Sequence, residues 1–316
     1  MDGWNTLQRI KEQINTVFIS KGELINQILI ALISEGHLLL EDVPGVGKTT
    51  LVIALSKAID SDFGRIQFTP DTLPSDVLGV SIYNAKTAEF KYMPGAIMHQ
   101  ILLADEINRT SPKTQSGLLE AMEERQVTVD GVVYPLKSPF MVIATQNPVE
   151  FIGTYPLPEA QLDRFMMKLS VGYPSKEDEM RLAHTYLEGR KAKELEPVSS
   201  VSDILQIQKE VKQVMVHDDI ISYILDIIER TRNEERFLLG ASERGMLSLI
   251  RATQAQAYLE QRDFCIPDDV KKIILPVLSH RLVLKPEYSM KNISSAAILK
   301  ENYLKVKVPI FQDKRG

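Results

Sequence analysis

Apolar positions along this chain follow two rhythms, and the place where one gives way to the other divides it. Residues 7–16 carry apolar side chains at helical spacing, and residues 23–35 repeat that signal through Leu24, Ile28, Ile30, Ala31 and Leu32. A short continuous apolar run at 38–41 then predicts a strand buried on both faces. Leu51, Val52, Leu55 and Ala58 mark a third helix, 65–68 a short strand, and 69–79, rich in Pro and Asp, a loop. The run 101–104 predicts another buried strand. Leu118, Leu119 and Met122 make the apolar stripe of a helix near 113–125, and 140–145 is a further buried strand. Strands alternating with helices predict an α/β fold with a parallel sheet and right-handed crossovers.

After Gly172-Tyr173-Pro174 only the helical rhythm persists. Ser175 with Asp178 forms a capping pair, Asp218-Asp219 place negative charge where a helix dipole favours it, and Ser242 and Pro267 occupy helix-start positions. Helices are expected near 176–193, 202–214, 218–232, 243–261 and 268–279, with Leu247, Leu249 and Ile250 in their core. Residues 1–173 are therefore expected to form an α/β domain and 174–316 a smaller all-helical one. The tail 312–316 is expected to fray.

The candidate chemistry sits at strand ends. The first strand runs into Pro44, Gly45, Val46, Gly47, Lys48, Thr49 and Thr50. Two glycines without Cβ let the backbone curl and aim several N–H groups at a polyphosphate, and the following helix N-terminus faces the same anion. Lys48 reaches the outer phosphates, and the Thr49 hydroxyl suits Mg²⁺. Strand 101–104 ends in Asp105-Glu106. Asp105 suits hydrated Mg²⁺, and Glu106 is placed to polarise an attacking water; the bland alternative is a core strand followed by a solvated acidic turn. Asn147, after the next strand, either orients that water or touches the terminal phosphate, or is simply a turn residue before Pro148.

Arg164 sits just before the last strand of the first domain. It either projects toward a neighbouring subunit's ATP, where a guanidinium stabilises charge on the transferring phosphate, or is a surface residue paired with Asp163 or Glu159. Arg244 opens a helix of the second domain, pointing back at the nucleotide or lying on the surface. Arg109 is a second candidate for interface work. The segment 120–125 reads as a solvated helix face.

Phosphate loop, paired acids, polar strand end and two arginines, in this order, resemble an AAA+ ATPase. Longer segments, 65–79, 105–115, 157–165 and 240–244, resemble its MoxR branch, and the similarity runs from about residue 15 to about 285. The resemblance implies a Walker A lysine and threonine at Lys48 and Thr49, Walker B acids at Asp105 and Glu106, sensor 1 at Asn147, an arginine finger at Arg164 and sensor 2 at Arg244. It also implies ATP and Mg²⁺ as cofactors, homo-oligomeric rings, usually hexamers, and chaperone-like remodelling of partner complexes, including metal-cofactor insertion. Partners would often carry von Willebrand factor A domains, and 69–93 falls where this branch places a partner-contacting insert. Three positions depart from the pattern: Asp42 stands where the loop usually has Gly, Glu243 where Pro is common, and Ser20 where Gly is frequent.

Composition narrows the alternatives. The net charge of −5, with 25% charged and 44% hydrophobic residues, is ordinary for a globular chain and argues against broad affinity for nucleic acid or anionic membrane. One cysteine, Cys265, excludes an intrachain disulfide and a multi-cysteine zinc site, and the five histidines lack metal-ligand spacing. No apolar run approaches the roughly 18–20 residues a membrane span needs and no signal segment opens the chain, so a cytoplasmic location is expected. Two other function classes stay open: an ATP-dependent assembly switch with negligible hydrolysis, and a nucleic-acid motor.

Overall fold

The computed structural model describes residues 3–19, 23–43, 45–147, 154–189, 191–291 and 293–309. Helix α1 (Gly3–Asn15) turns Leu7, Ile10 and Ile14 inward at helical spacing. Helix α2 (Glu23–Ile33) is apolar almost all round and accordingly buried almost all round. The α/β region continues through β1 (Leu38–Glu41), α3 (Lys48–Ala58), β2 (Phe63–Gln67), α4 (Pro74–Leu78), β3 (Gly79–Asn84) and β4 (Glu89–Pro94). It is completed by β5 (Ile101–Asp105), α5 (Pro112–Glu124), β6 (Gln126–Val129), β7 (Val132–Pro135), β8 (Met141–Gln146), α6 (Glu159–Leu162) and β9 (Met167–Leu169).

Strands β2, β5, β8, β1 and β9 form, in that spatial order, one parallel sheet. Leu38 lies opposite both Ile143 and Met167, so the strand beginnings share one edge and the strand ends the other. Every residue that precedes a strand and every residue that follows one is thereby assigned to opposite edges of the sheet.

The second region holds α7 (Lys176–Leu187), α8 (Val201–Val211), α9 (Asp218–Arg232), β10 (Phe237–Leu239), α10 (Glu243–Leu259), α11 (Pro267–Leu278), β11 (Val283–Leu284), α12 (Pro286–Ser289) and α13 (Ser295–Tyr303). Among the described residues it is mostly helical, with the short antiparallel pair β10–β11 and an isolated bridge between Met215 and Phe264, which the helical rhythm did not announce. Two further hairpins, β3–β4 and β6–β7, interrupt the α/β region. Val80, Ile82, Tyr83, Phe90 and Met93 of the first stay exposed. Strands that bury neither face need no regular alternation, which is why the loop expected from residue 69 onward conceals both α4 and a hairpin.

The hydrophobic core does not stop at residue 173. On one face of the sheet, α1, α2 and α3 share a continuous apolar cluster with α8, α9, α10, α11 and α13; on the other, α5 and its neighbours cover Leu102, Val142 and Phe68. Helix α10 packs on α2, and α11 on β9. Among the described residues no helix is long and apolar enough to cross a membrane.

Candidate active site

The loop after β1 has the predicted cradle shape. Gly45 and Gly47 both have φ of 88°, the left-handed region, and a Cβ on Gly47 would also press on the Phe18 ring at 3.1 Å. Helix α3 begins at Lys48, whose Nζ donates to the Asp42 carbonyl at 2.9 Å. Asp42 itself, in place of the usual glycine, is buried and accepts from Ser170 Oγ at 2.8 Å, Val171 N at 2.5 Å and Gly172 N at 3.0 Å. It therefore pins the segment after β9 against the loop. Pro44 and Ser20 lie outside the described residues.

The paired acids arrive at the same edge. Asp105 closes β5, beside β8, and accepts from Thr145 Oγ1 at 2.7 Å and from Arg65 at 2.8 Å. The same Thr145 oxygen accepts the Glu106 N–H at 2.8 Å. Glu106 has φ of 58°, a left-handed conformation uncommon for glutamate and typical of strained functional positions. Its Oε2 accepts from Gln67 at 2.8 Å and from Arg109 at 2.9 Å. Lys48, Thr49, Asp105, Glu106 and a largely buried Asn147 line one cavity of about 370 Å³, together with Gly45, Gly47, Thr50, Arg65 and Gln67.

Thr49 and Asp105 both line that cavity and offer hard oxygen ligands, and a cation that keeps waters and takes phosphate oxygens needs no more protein ligands than these. The set fits Mg²⁺. Among the described residues no cluster of three or more His, Cys, Asp or Glu forms a separate metal cage.

A second hollow of about 280 Å³ shares Gly45, Gly47 and Thr50 with the first, and is walled by Val17, Phe18, Ile19, Val46, Val171, Gly172, Tyr173, Pro174 and Leu182. Its mostly apolar walls next to a phosphate cradle suit a nucleobase. Arg65 and Gln67 were not assigned a role, although their two-residue spacing sets both on one face of β2 beside β5. The wall from Val171 to Leu182 was also missed, because the chain there reads only as a domain junction.

The two expected arginines lie elsewhere. Arg164 precedes β9 and so belongs to the edge where strands begin; β1 alone, at about 3.3 Å per residue, puts roughly 13 Å between the edges. Arg244 stands with it: one carboxylate, Glu123, accepts from Arg244 on Oε1 and from Arg164 on Oε2 at 3.1 Å. Both arginines line a cavity of about 310 Å³ with Glu35, Gly36, His37, Met122, Glu123, Arg125, Met166, Ser248 and Arg251. Arg244, expected either to point back at the nucleotide or to lie on the surface, thus stands away from the Lys48 cavity of its own chain. The second region packs on α1, α2 and β9, which holds the start of α10 at the far edge. Glu123 and Arg125, read as part of a solvated helix face, belong to this cavity, together with Met122 of the apolar stripe.

Its frame is buried. Arg281, 1% exposed at the side chain, donates to the Asp163 carboxylate at 2.7 Å and to the carbonyls of Asp163, Phe165, Met166 and Val277. Burial pulls its pKa down to about 10 against the opposing pull of Asp163. Asp163 also accepts from Ser242 Oγ at 2.9 Å, so the segments bearing Arg164 and Arg244 are tied to one another. His37 accepts the Val142 N–H on Nδ1 at 3.0 Å, which leaves Nε2 to donate to the Met122 carbonyl at 3.2 Å. Burial, helped by Arg125, holds its pKa at about 3, so it is neutral at pH 7. The cavity therefore sets four guanidiniums against two carboxylates.

Residues 37–167 match the family model described as "ATPase family associated with various cellular activities (AAA)", and residues 229–302 match the AAA lid domain. The chain is 53% identical to the uncharacterized protein YeaC of Bacillus subtilis, covering 96% of this chain and 95% of that one. It is 39% identical to the chaperone MoxR1 of Mycobacterium tuberculosis, covering 96% and 83%. The crystal structure of a candidate ATPase from Cytophaga hutchinsonii superposes with a TM-score of 0.91 at 38% identity, covering 98% of this chain and 96% of that one.

Proposed function

This chain belongs to the MoxR family of AAA+ ATPases, and from that premise we propose that it hydrolyses ATP at sites shared between neighbouring copies of itself, driving a chaperone-like change in a partner protein complex. The observation that carries this reading is the split of the site. Lys48, Thr49, Asp105, Glu106 and Asn147 line one cavity, while Arg164 and Arg244 meet at the opposite edge of the sheet. Neither half is complete, and a second copy placed edge to edge completes both. Repeating that head-to-tail contact closes a ring.

In this reading the loop amides and Lys48 bind the triphosphate, and Lys48 leaves the Asp42 carbonyl to do so. Thr49 and Asp105 would hold Mg²⁺, which would neutralise charge on the phosphates. Glu106 takes the proton of the attacking water and Asn147 orients that water. Arg164 and Arg244 of the adjoining copy stabilise the charge that spreads over the transferred phosphoryl group. The exposed apolar hairpin β3–β4 is the surface offered to the partner complex, a von Willebrand factor A-domain protein being the class the family suggests. Insertion of a metal cofactor into such a partner is the finest form of the reading. The boundary between the two working parts is placed at residues 173/174, where the base wall passes into α7.

One observation favours the assembly switch instead: Glu106 is engaged by Gln67 and Arg109 in the isolated chain. A single experiment separates the two. Mg²⁺-dependent ATP turnover is measured against protein concentration, alongside molecular mass with and without ATP, for the native chain and Arg164→Ala. Turnover rising faster than linearly as the protein assembles, and lost in the variant, supports hydrolysis at shared sites. Assembly on ATP without turnover at any concentration supports the switch.

A further inference from the structure

Glu123 closes the last turn of α5, yet its two partners come from distant segments: Arg164 from the turn before β9, Arg244 from the first turn of α10. One carboxylate oxygen goes to each guanidinium. That is the two-point acceptor pattern a phosphate group presents to a pair of arginines. The surroundings suit an anion larger than a carboxylate, since the adjoining cavity holds about 310 Å³ and its lining carries two guanidiniums more than it has carboxylates.

We propose that Glu123 is an internal stand-in for the neighbouring copy's terminal phosphate: it keeps Arg164 and Arg244 converged in the free subunit and releases both when that phosphate arrives. The proposal rests on the shared-site reading given above. It identifies a positioning residue that sets how readily a subunit engages its neighbour.

Comparison of two carboxylates in the same region, Asp163 and Glu123, shows why Glu123 is the exchangeable one. Asp163 and Arg281 are 17% and 1% exposed, with the guanidinium further bound to backbone carbonyls. Breaking that pair leaves a charge stranded without water. Glu123, Arg164 and Arg244 are 37%, 28% and 40% exposed. Ion pairs so open to solvent are weak, and water or an incoming anion can replace either partner. A terminal phosphate brings more negative charge and more acceptor oxygens than a carboxylate, so the exchange runs toward it once a neighbour presents it.

The test uses the full chain and Glu123→Gln, which keeps side-chain size on a solvent-facing helix end while removing the charge. Sedimentation gives the protein concentration at half-assembly with a non-hydrolysable ATP analogue and Mg²⁺; a turnover titration gives the concentration at half-maximal ATP hydrolysis. Both midpoints should fall about fivefold, the factor expected when two exposed ion pairs no longer compete. Adding Arg164→Ala to Glu123→Gln should abolish that gain. Midpoints that stay put or rise would overturn the proposal and leave Glu123 as a support for the arginines. If the native chain assembles on the analogue but never hydrolyses ATP, the catalytic reading fails while the sedimentation midpoint still decides the role of Glu123. No assembly in either protein overturns both.

Discussion

At the edge where the strands end, the charged groups rest on partners they can leave: Lys48 on a backbone carbonyl, Glu106 on the side chains of Gln67 and Arg109. At the edge where the strands begin, two arginines rest on one solvent-facing carboxylate above a buried strut, Arg281 with Asp163. In the reading proposed above, the first edge is the receptor for phosphate, built into a loop and a sheet end. The other is a donor of positive charge held out on a rigid frame. In the shared-site reading proposed above, a single subunit would carry the two halves of a site facing away from each other, the stiff half serving a neighbouring copy.

Complementation should give the largest effect. Glu106→Gln and Arg164→Ala should each lower turnover by roughly a thousandfold. Mixed in equal amounts, the two inactive proteins should regain a readily measured fraction, because some interfaces then pair an intact Glu106 with an intact Arg164. No recovery would place both groups in service of the same chain. Next in size is the frame itself. Arg281→Met should cost about 3–5 kcal/mol in denaturant unfolding, since Asp163 loses its buried counter-ion, whereas Arg164→Ala should cost less than about 1 kcal/mol. Equal costs would erase the distinction between strut and exposed pair.

A smaller effect comes from His37. Its folded pKa of about 3 lies below the unfolded value near 6.5. Below pH 6.5 the unfolded chain takes up a proton that the folded chain refuses, so stability is present above that pH and declines as pH falls toward 3. Between pH 7 and pH 5 the loss should be about 2 kcal/mol from this group, and buried His280, also held well below its ordinary value, adds in the same direction. Chemical unfolding of native protein and His37→Gln at both pH values checks it; equal slopes would remove His37 as the cause. The smallest effect sharpens the receptor edge. Asp42→Gly restores the usual loop residue but cuts three hydrogen bonds to residues 170–172, and calorimetry should show ATP binding weakened about tenfold with little change in unfolding. Unchanged affinity would mean that the base wall holds without Asp42.

The receptor edge was legible in the chain because its parts are local. A run of leucines, two glycines and Lys48-Thr49 specify strand, turn and helix within a dozen residues, and Asp105-Glu106 and Asn147 each follow a strand that had to be parallel to the first. The base wall was not legible in this way: Val171 to Leu182 is brought to Phe18 by the carboxylate of Asp42, a contact across some 130 positions. The same holds for Gln67 on Glu106, which depends on the register of β2 against β5. The hairpins at 79–94 and 126–135 were hidden for the opposite reason: their strands are largely exposed, with Val127 the one apolar side chain of theirs that is fully enclosed, so little burial imposes a pattern.

Short-range periodicity and a residue's place before or after a strand were enough to read the parallel sheet, the glycine loop before α3, the paired acids at a strand end and even the edge on which Arg164 falls. Only the tertiary structure decided where Arg244 points. The second region shares its core with α1, α2 and α3, and that long-range packing carries the start of α10 to the far edge of the sheet. Side chains that meet through such packing leave no spacing in the chain to read, and the joining of Arg164, Arg244 and Glu123 is a consequence of burial rather than of any motif.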